Sequence, residues 1–187
     1  MTNPEAATAL ERARRMQQDD VRLFTALWPD ERLRARLGRE RDGWRWPAAA
    51  RPVDDARLHM TLHFIGAFAR SRTAALESAL EALRVAPAIL RALGPELWPG
   101  GIAVLRFSAA PALTELHASI GAALQAFGVA LDARPFAPHV TLARRARGAT
   151  PPARPVELEW HASGFALVES VPGAQASYRV LRSFGAG

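Results

Sequence analysis

Short apolar runs divided by turn residues, with two longer stretches of helical spacing among them, set the first reading of this chain. Val21-Arg22-Leu23-Phe24-Thr25-Ala26-Leu27 suits a strand. Trp28-Pro29-Asp30 punctuates it, and Pro29 or Asp30 can open a helix running to about Leu37. Residues 38–55, with Gly38, Gly43, Pro47 and Pro52, read as a loop. Leu58 to Ile65 is the next strand, closed by Gly66. Leu76, Leu80 and Leu83 recur at helical spacing between Arg72 and about Val85, and Pro87 ends that helix. Ile89–Leu97 is a weak strand and Ile102–Phe107 a stronger one. Leu113, Leu116, Ile120, Leu124 and Phe127 form one helical stripe stopped by Gly128. Val129–Leu131 and Pro138–Ala143 read as strands, and Pro151, Pro152 and Pro155 mark a loop. Trp160–Val168 and Ala176–Leu181 close the chain, turning through Pro172-Gly173. Strands interrupted by two long helices fit an α+β fold of mainly antiparallel sheet better than a doubly wound parallel sheet.

Within this pattern one motif occurs twice. Residues 58–62 are Leu58-His59-Met60-Thr61-Leu62, and residues 138–142 are Pro138-His139-Val140-Thr141-Leu142. Each is His-x-Thr-Leu with an apolar x, and 80 positions separate His59 from His139. On a strand, residues i and i+2 share a face about 6.6 Å apart. His59 therefore pairs with Thr61 and His139 with Thr141, while the apolar residues between them face the other side. Two such strands, one from each of two similar lobes, could present two imidazoles and two hydroxyls to a phosphate in a shared cleft. Imidazole, with an ordinary pKa of about 6.5, moves protons in either direction near neutrality.

These residues resemble the 2H phosphoesterase superfamily, and within it the RNA 2′,3′-cyclic phosphodiesterases, also called 2′-5′ RNA ligases. Arg22 to Pro29 is similar to that family's opening strand. Leu58 to Gly66 is similar to its first motif, and Arg134 to Arg144 to its second with a trailing Arg. Phe165 to Leu181 also fits, so the likeness covers about residues 21–184. The resemblance implies a bilobal fold, with two pseudo-symmetric lobes of antiparallel sheet, helices outside and a central cleft. It implies hydrolysis of a 2′,3′-cyclic phosphate to a 2′-phosphate without cofactor or metal, in some members with reversible 2′-5′ ligation. By match, His59 and His139 are catalytic, Thr61, Thr141 and Arg144 bind phosphate, and Phe24 is either a base contact or a core residue. One histidine would take a proton from water while the other gives one to the departing 3′ oxygen. His139 as base and His59 as acid is the starting assignment, which the sequence itself leaves open.

Composition changes this picture little. About half the residues are hydrophobic, no cysteine is present, and the net charge is +6 with every basic residue an Arg. Absence of cysteine excludes disulfides, thiolate metal sites and a cysteine nucleophile. Arg excess suits an anionic partner as well as it suits a solvated surface. No apolar stretch of transmembrane length occurs and the N-terminus lacks the order of a signal peptide, so a soluble cytoplasmic protein is expected. A zinc site on His59 and His63 is disfavoured, because four residues of strand span about 13 Å while both rings would have to lie about 2.1 Å from one ion. His63 is expected to be partly exposed at the cleft edge, His117 and His161 to be structural or surface residues, and Trp44 and Trp46 to cap a core or stack on a base. Arg145 and Arg147 are either phosphate grips or a solvated turn.

The expected organisation is a tail over residues 1–19 and a single bilobal domain over 20–187. The expected partner is RNA or a nucleotide with a 2′,3′-cyclic phosphate, no membrane is involved, and the chain is a monomer. Rival readings are a non-catalytic nucleotide-binding module on the same fold, or a 2H enzyme for another cyclic or 2′-5′ phosphodiester.

Overall fold

The computed structural model describes residues 19–173 and 177–185. Its elements in chain order are β1 (Asp20–Leu27), α1 (Glu31–Asp42), β2 (Arg51–Pro52), β3 (Met60–Ala69), α2 (Thr73–Glu81), β4 (Ala88–Trp98), β5 (Ile102–Phe107), α3 (Pro111–Ala126), β6 (His139–Arg144), β7 (Glu159–Ala162), β8 (Gly164–Val171) and β9 (Ser177–Gly185). The strands form two sheets, ordered β3-β1-β8-β9 and β2-β6-β5-β4-β7. All described pairings are antiparallel. The expected tail lies outside the described residues apart from Asp19, in the turn before β1. Among the described residues no helix is long and apolar enough to cross a membrane.

Local chemistry accounts for most boundaries. The Asp30 carboxylate accepts from the Leu33 N–H at 2.7 Å and caps α1. That helix does not stop at Leu37 but runs through the buried Gly38 to Asp42. Gly38 serves packing rather than a turn: a Cβ there would lie 2.9 Å from the Asp55 carboxylate. Arg41, one turn on, then holds the following loop through Asp55 at 2.7 Å. α3 starts with Pro111 and buries Leu113, Leu116, Ile120 and Leu124 on one stripe. Residues 129–131 carry no strand, contrary to expectation; the chain there is irregular before Pro138.

The strand expected over Trp160–Val168 is two strands. β7 pairs with β4 in the second sheet, whereas β8 pairs with β1 and β9 in the first. The backbone changes sheet at Ser163, which is how a strand makes the corner between two packed sheets. The crossing is tight. A Cβ on Gly164 would sit 2.4 Å from the Phe184 carbonyl oxygen. Gly164→Ala is therefore expected to destabilise the protein by about 1–3 kcal/mol through overpacking. Gly43, whose φ is −72° and whose nearest neighbour to a built Cβ is 3.5 Å away, should tolerate alanine or gain slightly. Urea midpoints compare the two, and a Gly164→Ala midpoint equal to the parent's would show that the crossing relaxes freely.

A second departure from regularity sits beside the first motif. β1 and β3 pair Phe24 with Phe64, Thr25 with His63, and Ala26 with Thr61, so Leu62 is an extra residue opposite the Thr25–Ala26 step. Such a bulge reverses the alternation of faces. Strict alternation would return His63 to the face of Thr61, at the cleft edge. Instead His63 is buried. Its backbone N–H donates to Thr25 Oγ1 at 3.2 Å, and its ring stacks 3.9 Å from that of His117 on α3. The expected cleft-edge position for His63 is thus overturned, and the next residue, Phe64, is 64% exposed with its ring 6.5 Å from that of Phe24.

Candidate active site

His59 immediately precedes β3, the edge strand of the first sheet, and His139 opens β6, an inner strand of the second. The two strands lie against each other where the sheets meet. Met60, Leu62, Val140 and Leu142 are buried in the core, while His59, Thr61, His139 and Thr141 are half-buried on the opposite faces. The period-two reading of both motifs is therefore what the strands adopt.

The two imidazoles are held in the same way. His59 Nδ1–H donates to the Arg57 carbonyl at 2.7 Å, and His139 Nδ1–H donates to the Ala137 carbonyl at 2.7 Å, in each case two residues back. That bond selects the tautomer with a free lone pair on Nε2. Thr61 Oγ1 lies 3.1 Å from His59 Nε2 and donates to it while the ring is neutral.

Electrostatics disfavour a charge on either ring. Burial pushes His59 down to about 4, and the positive charge of Arg57, protonated His139 and Arg144 add to the effect against the opposing Arg57 carbonyl bond. Its desolvation comes from a cage of rings: Phe24 at 5.0 Å, Trp28 stacked at 5.6 Å and Tyr178 edge-on at 5.2 Å. His139 is also lowered, first by burial and then by Arg106, Arg144 and Arg134. Arg144 acts on both rings, so both motifs stand in one electrostatic field. The cage around His59 disfavours its charged form, and burial does the same to His139.

Beneath His59 the floor is a small apolar cluster of Phe24, Ala26, Ala166 and Val168. Phe24 is 3% exposed, so its place is in the wall behind His59, where it excludes water, and it presents no face for a base. Arg144, the last residue of β6, is exposed. Arg145 and Arg147 are exposed beyond it.

The profile of the 2′-5′ RNA ligase superfamily matches residues 29–170. The chain belongs to that family. Its fold is that of the solved phosphoesterases of this kind. Escherichia coli LigT complexed with 3′-AMP superposes with a TM-score of 0.80 at 25% identity, covering 89% of this chain and 98% of that one. TT0787 of Thermus thermophilus gives a TM-score of 0.73 at 30% identity, covering 88% and 97%. A further crystal structure described as a phosphoesterase gives 0.80 at 26% identity, covering 89% and 98%. No curated protein sequence matches the chain. Family membership makes this a phosphoesterase fold, and its two antiparallel sheets carry one motif each, as the two-lobed reading expects.

Several neighbours of the histidines were not legible as such in the sequence. Trp98 lies 4.4 Å from His139, placed there by the Pro99-Gly100-Gly101 turn, whose two glycines have positive φ. Arg106 is paired in register with His139 across β5 and β6. Its signal was present as the lone charge inside the apolar run Ile102–Phe107. Arg57, Trp28 and Tyr178 gather around His59 from three separate segments, and no local pattern announces that. Of the remaining candidates, Trp44 is buried and stacks on Trp46 at 4.9 Å, away from both motifs. His117 is sandwiched between His63 and Phe136, and His161 is exposed near Glu159. A groove of about 1040 Å³ runs beside the β7–β8 corner and shares Trp28 and Ala166 with the surroundings of His59. Among the described residues no group of three or more His, Cys, Asp or Glu could hold a metal ion.

Proposed function

We propose that the protein is a metal-independent RNA 2′,3′-cyclic phosphodiesterase in which His59 and His139 form the acid–base pair. The observation that carries this reading is the matched anchoring of the two rings. Each Nδ1 is tied to the carbonyl two residues back, which leaves each Nε2 as the acceptor nitrogen (that of His59 taken up by Thr61 Oγ1), and each ring has a threonine on its own strand face. The family profile and the nucleotide held by the LigT relative support a nucleotide substrate.

Entry of the substrate's phosphoryl anion between the rings raises both pKa values, offsetting burial. One histidine, neutral, removes a proton from water as its oxygen bonds to phosphorus. The P–O3′ bond breaks, the other histidine gives its proton to O3′, and the phosphate remains on O2′. Thr61 and Thr141 donate to the non-bridging oxygens, and Arg144 offsets charge that grows there in the transition state. With a 5′-hydroxyl in place of water as the nucleophile, the same step and the same groups would make a 2′-5′ bond.

The test is turnover of a nucleoside 2′,3′-cyclic phosphate by the purified protein in EDTA, with product analysis. Sole formation of the 2′-phosphate is expected. kcat/KM should follow a bell whose maximum lies below pH 6.5, since the singly protonated pair peaks between a group near 4 and another below its ordinary value. No turnover, or turnover that EDTA abolishes and a divalent ion restores, would overturn the reading.

A further inference from the structure

Three stacked rings join the strand of the first motif to the segment before the second. His63 on β3 stacks on His117 of α3 with centroids 3.9 Å apart, and His117 stacks on Phe136 at 3.9 Å. The His63 end is fixed to its neighbours. Its Nε2–H donates to the His117 carbonyl at 2.8 Å, and its backbone N–H donates to Thr25 Oγ1 on β1 at 3.2 Å. Gly121, one turn beyond His117, leaves room for the ring: a Cβ there would stand 3.3 Å from His63 Cε1 and 3.1 Å from Leu131 Cδ1. Glycine inside a helix is otherwise unfavourable, so α3 gives up helix propensity where the ring meets it. At the other end Phe136 adjoins Ala137, whose carbonyl accepts from His139 Nδ1 at 2.7 Å and orients that ring. Residues 129–138 belong to no helix or strand. The backbone is held at both ends of this stretch, where Val129 N–H donates to the Leu124 carbonyl at 3.1 Å and the Pro138 carbonyl accepts from Phe107 at 2.9 Å. In between, Leu131 and Phe136 pack against the core, Leu131 beside Gly121 and Phe136 on His117.

We propose that His63, His117 and Phe136 are positioning residues: their stack is a strut that sets the Ala137 carbonyl, and with it the His139 ring, against the strand that leads from His59 and Thr61. The inference rests on the histidine pair as acid and base, and adds to it three residues that touch neither substrate nor reacting atoms. His59 has no need of such a strut. Its acceptor, the Arg57 carbonyl, ends the single helical turn Asp55–Arg57, which is closed by Arg57 N–H to the Asp54 carbonyl at 2.8 Å and Leu58 N–H to the Asp55 carbonyl at 3.1 Å. The two imidazoles thus share one kind of anchoring bond, while the acceptor is held by local backbone in one motif and by distant side chains in the other. Displacing a catalytic group by about 1 Å costs up to about a hundredfold in rate, so the strut matters to turnover well before it matters to folding. The rings act by their faces, not their charge. Burial holds His63 below its ordinary value, and burial together with charge on His63 pushes His117 down to about 4. A neutral aromatic ring at position 117 should therefore serve as well.

The experiment compares the full-length protein with Phe136→Ala, Phe136→Leu, His117→Ala and His117→Phe. Leu80→Ala controls for lost packing, since Leu80 is fully buried on α2, which carries neither motif nor any ring of the stack. Three quantities are read: kcat and KM on a nucleoside 2′,3′-cyclic phosphate, Tm, and the nitrogen NMR titrations of His59 and His139 in the free protein. Phe136→Ala and His117→Ala should lower kcat about tenfold or more with little change in KM. Phe136→Leu, which keeps bulk without a flat face, should fall in the same direction and serves if Phe136→Ala does not fold. His117→Phe should restore the parent's kcat. The Ala137 carbonyl favours the proton on His139, so loosening it should move the His139 titration to lower pH and weaken its Nδ1–H tautomer. Arg106, Arg144 and Arg134, the charges that also act on His139, remain in every variant. The His59 titration, anchored at Arg57, should not move. Leu80→Ala should lower Tm at least as far while leaving kcat and both titrations alone. Folded Phe136 variants with the parent's kcat and His139 titration would overturn the strut and spare the histidine pair. So would a His117→Phe protein as impaired as His117→Ala, or a Leu80→Ala protein that loses kcat to the same degree. A parent without turnover would remove the pair itself, and with it the strut's part in catalysis.

Discussion

Replacing His59 or His139 by alanine is expected to lower kcat on a 2′,3′-cyclic nucleotide by a hundredfold or more, with a much smaller change in KM. The size follows from removing one partner of a concerted proton transfer. Two features of the site sharpen the expectation. The rings act as a unit, so the double variant should cost little more than either single one rather than the product of the two. Each ring is also half-buried and bonded through Nδ1 to backbone, so its loss should leave a small void at the cleft surface rather than a hole in the core, and thermal stability should stay near that of the parent. His161→Ala is the matched control, since that ring is exposed on β7, and it should retain full turnover. Replacing the departing 3′ oxygen of the substrate by sulfur identifies the acid, because a thiolate leaves without protonation. The variant that recovers on that substrate lacks the proton donor. The starting assignment gives that part to His59, whereas the aromatic cage that pushes this ring down to about 4 disfavours a proton there in the free protein. A His59→Ala or His139→Ala protein within fivefold of the parent would end the acid–base proposal.

What could be read ahead of the structure was whatever a short stretch of chain decides for itself. The His-x-Thr faces follow from the two-residue period of a strand, and the buried Met60, Leu62, Val140 and Leu142 bear that out. The stripe of Leu113, Leu116, Ile120 and Leu124 fixes α3 in the same way. The failures have in common a cause outside the segment. Gly38 reads as a breaker, yet the helix needs it because Asp55 comes within 2.9 Å of where a Cβ would be. His63 reads as a cleft residue until the register with β1 makes Leu62 an extra residue and turns the ring onto α3. Trp160 to Val168 reads as one strand because nothing within it announces that Ala162 pairs in one sheet and Ala166 in the other. Arg57, Trp28, Tyr178 and Trp98, which gather around the histidines, were invisible for the same reason. Tyr178 and Phe24 meet His59 only when β9, β8 and β1 are side by side.

Arg144→Ala is expected to change two measurements at once, and the pair of changes separates its roles. The rate effect should be about a hundredfold on kcat/KM, the lower end of what one oxyanion-stabilising donor supplies, because an exposed guanidinium acts through a higher dielectric than a buried one. The second effect concerns the proton. Arg144 is among the charges that hold both His59 and His139 below their ordinary value. A cation favours the neutral form of a nearby imidazole, so removing it raises both pKa values, and the whole bell in kcat/KM should move to higher pH. Arg144→Lys keeps the charge but not the two-pronged donor geometry. It should leave the bell where the parent has it while still losing part of the rate. Arg147→Ala, exposed further along the chain after the strand has ended, should alter neither. If Arg144→Ala kept both the rate and the bell of the parent, Arg144 would be a surface residue, and charge stabilisation at the phosphoryl group would have to come from Thr61 and Thr141 alone.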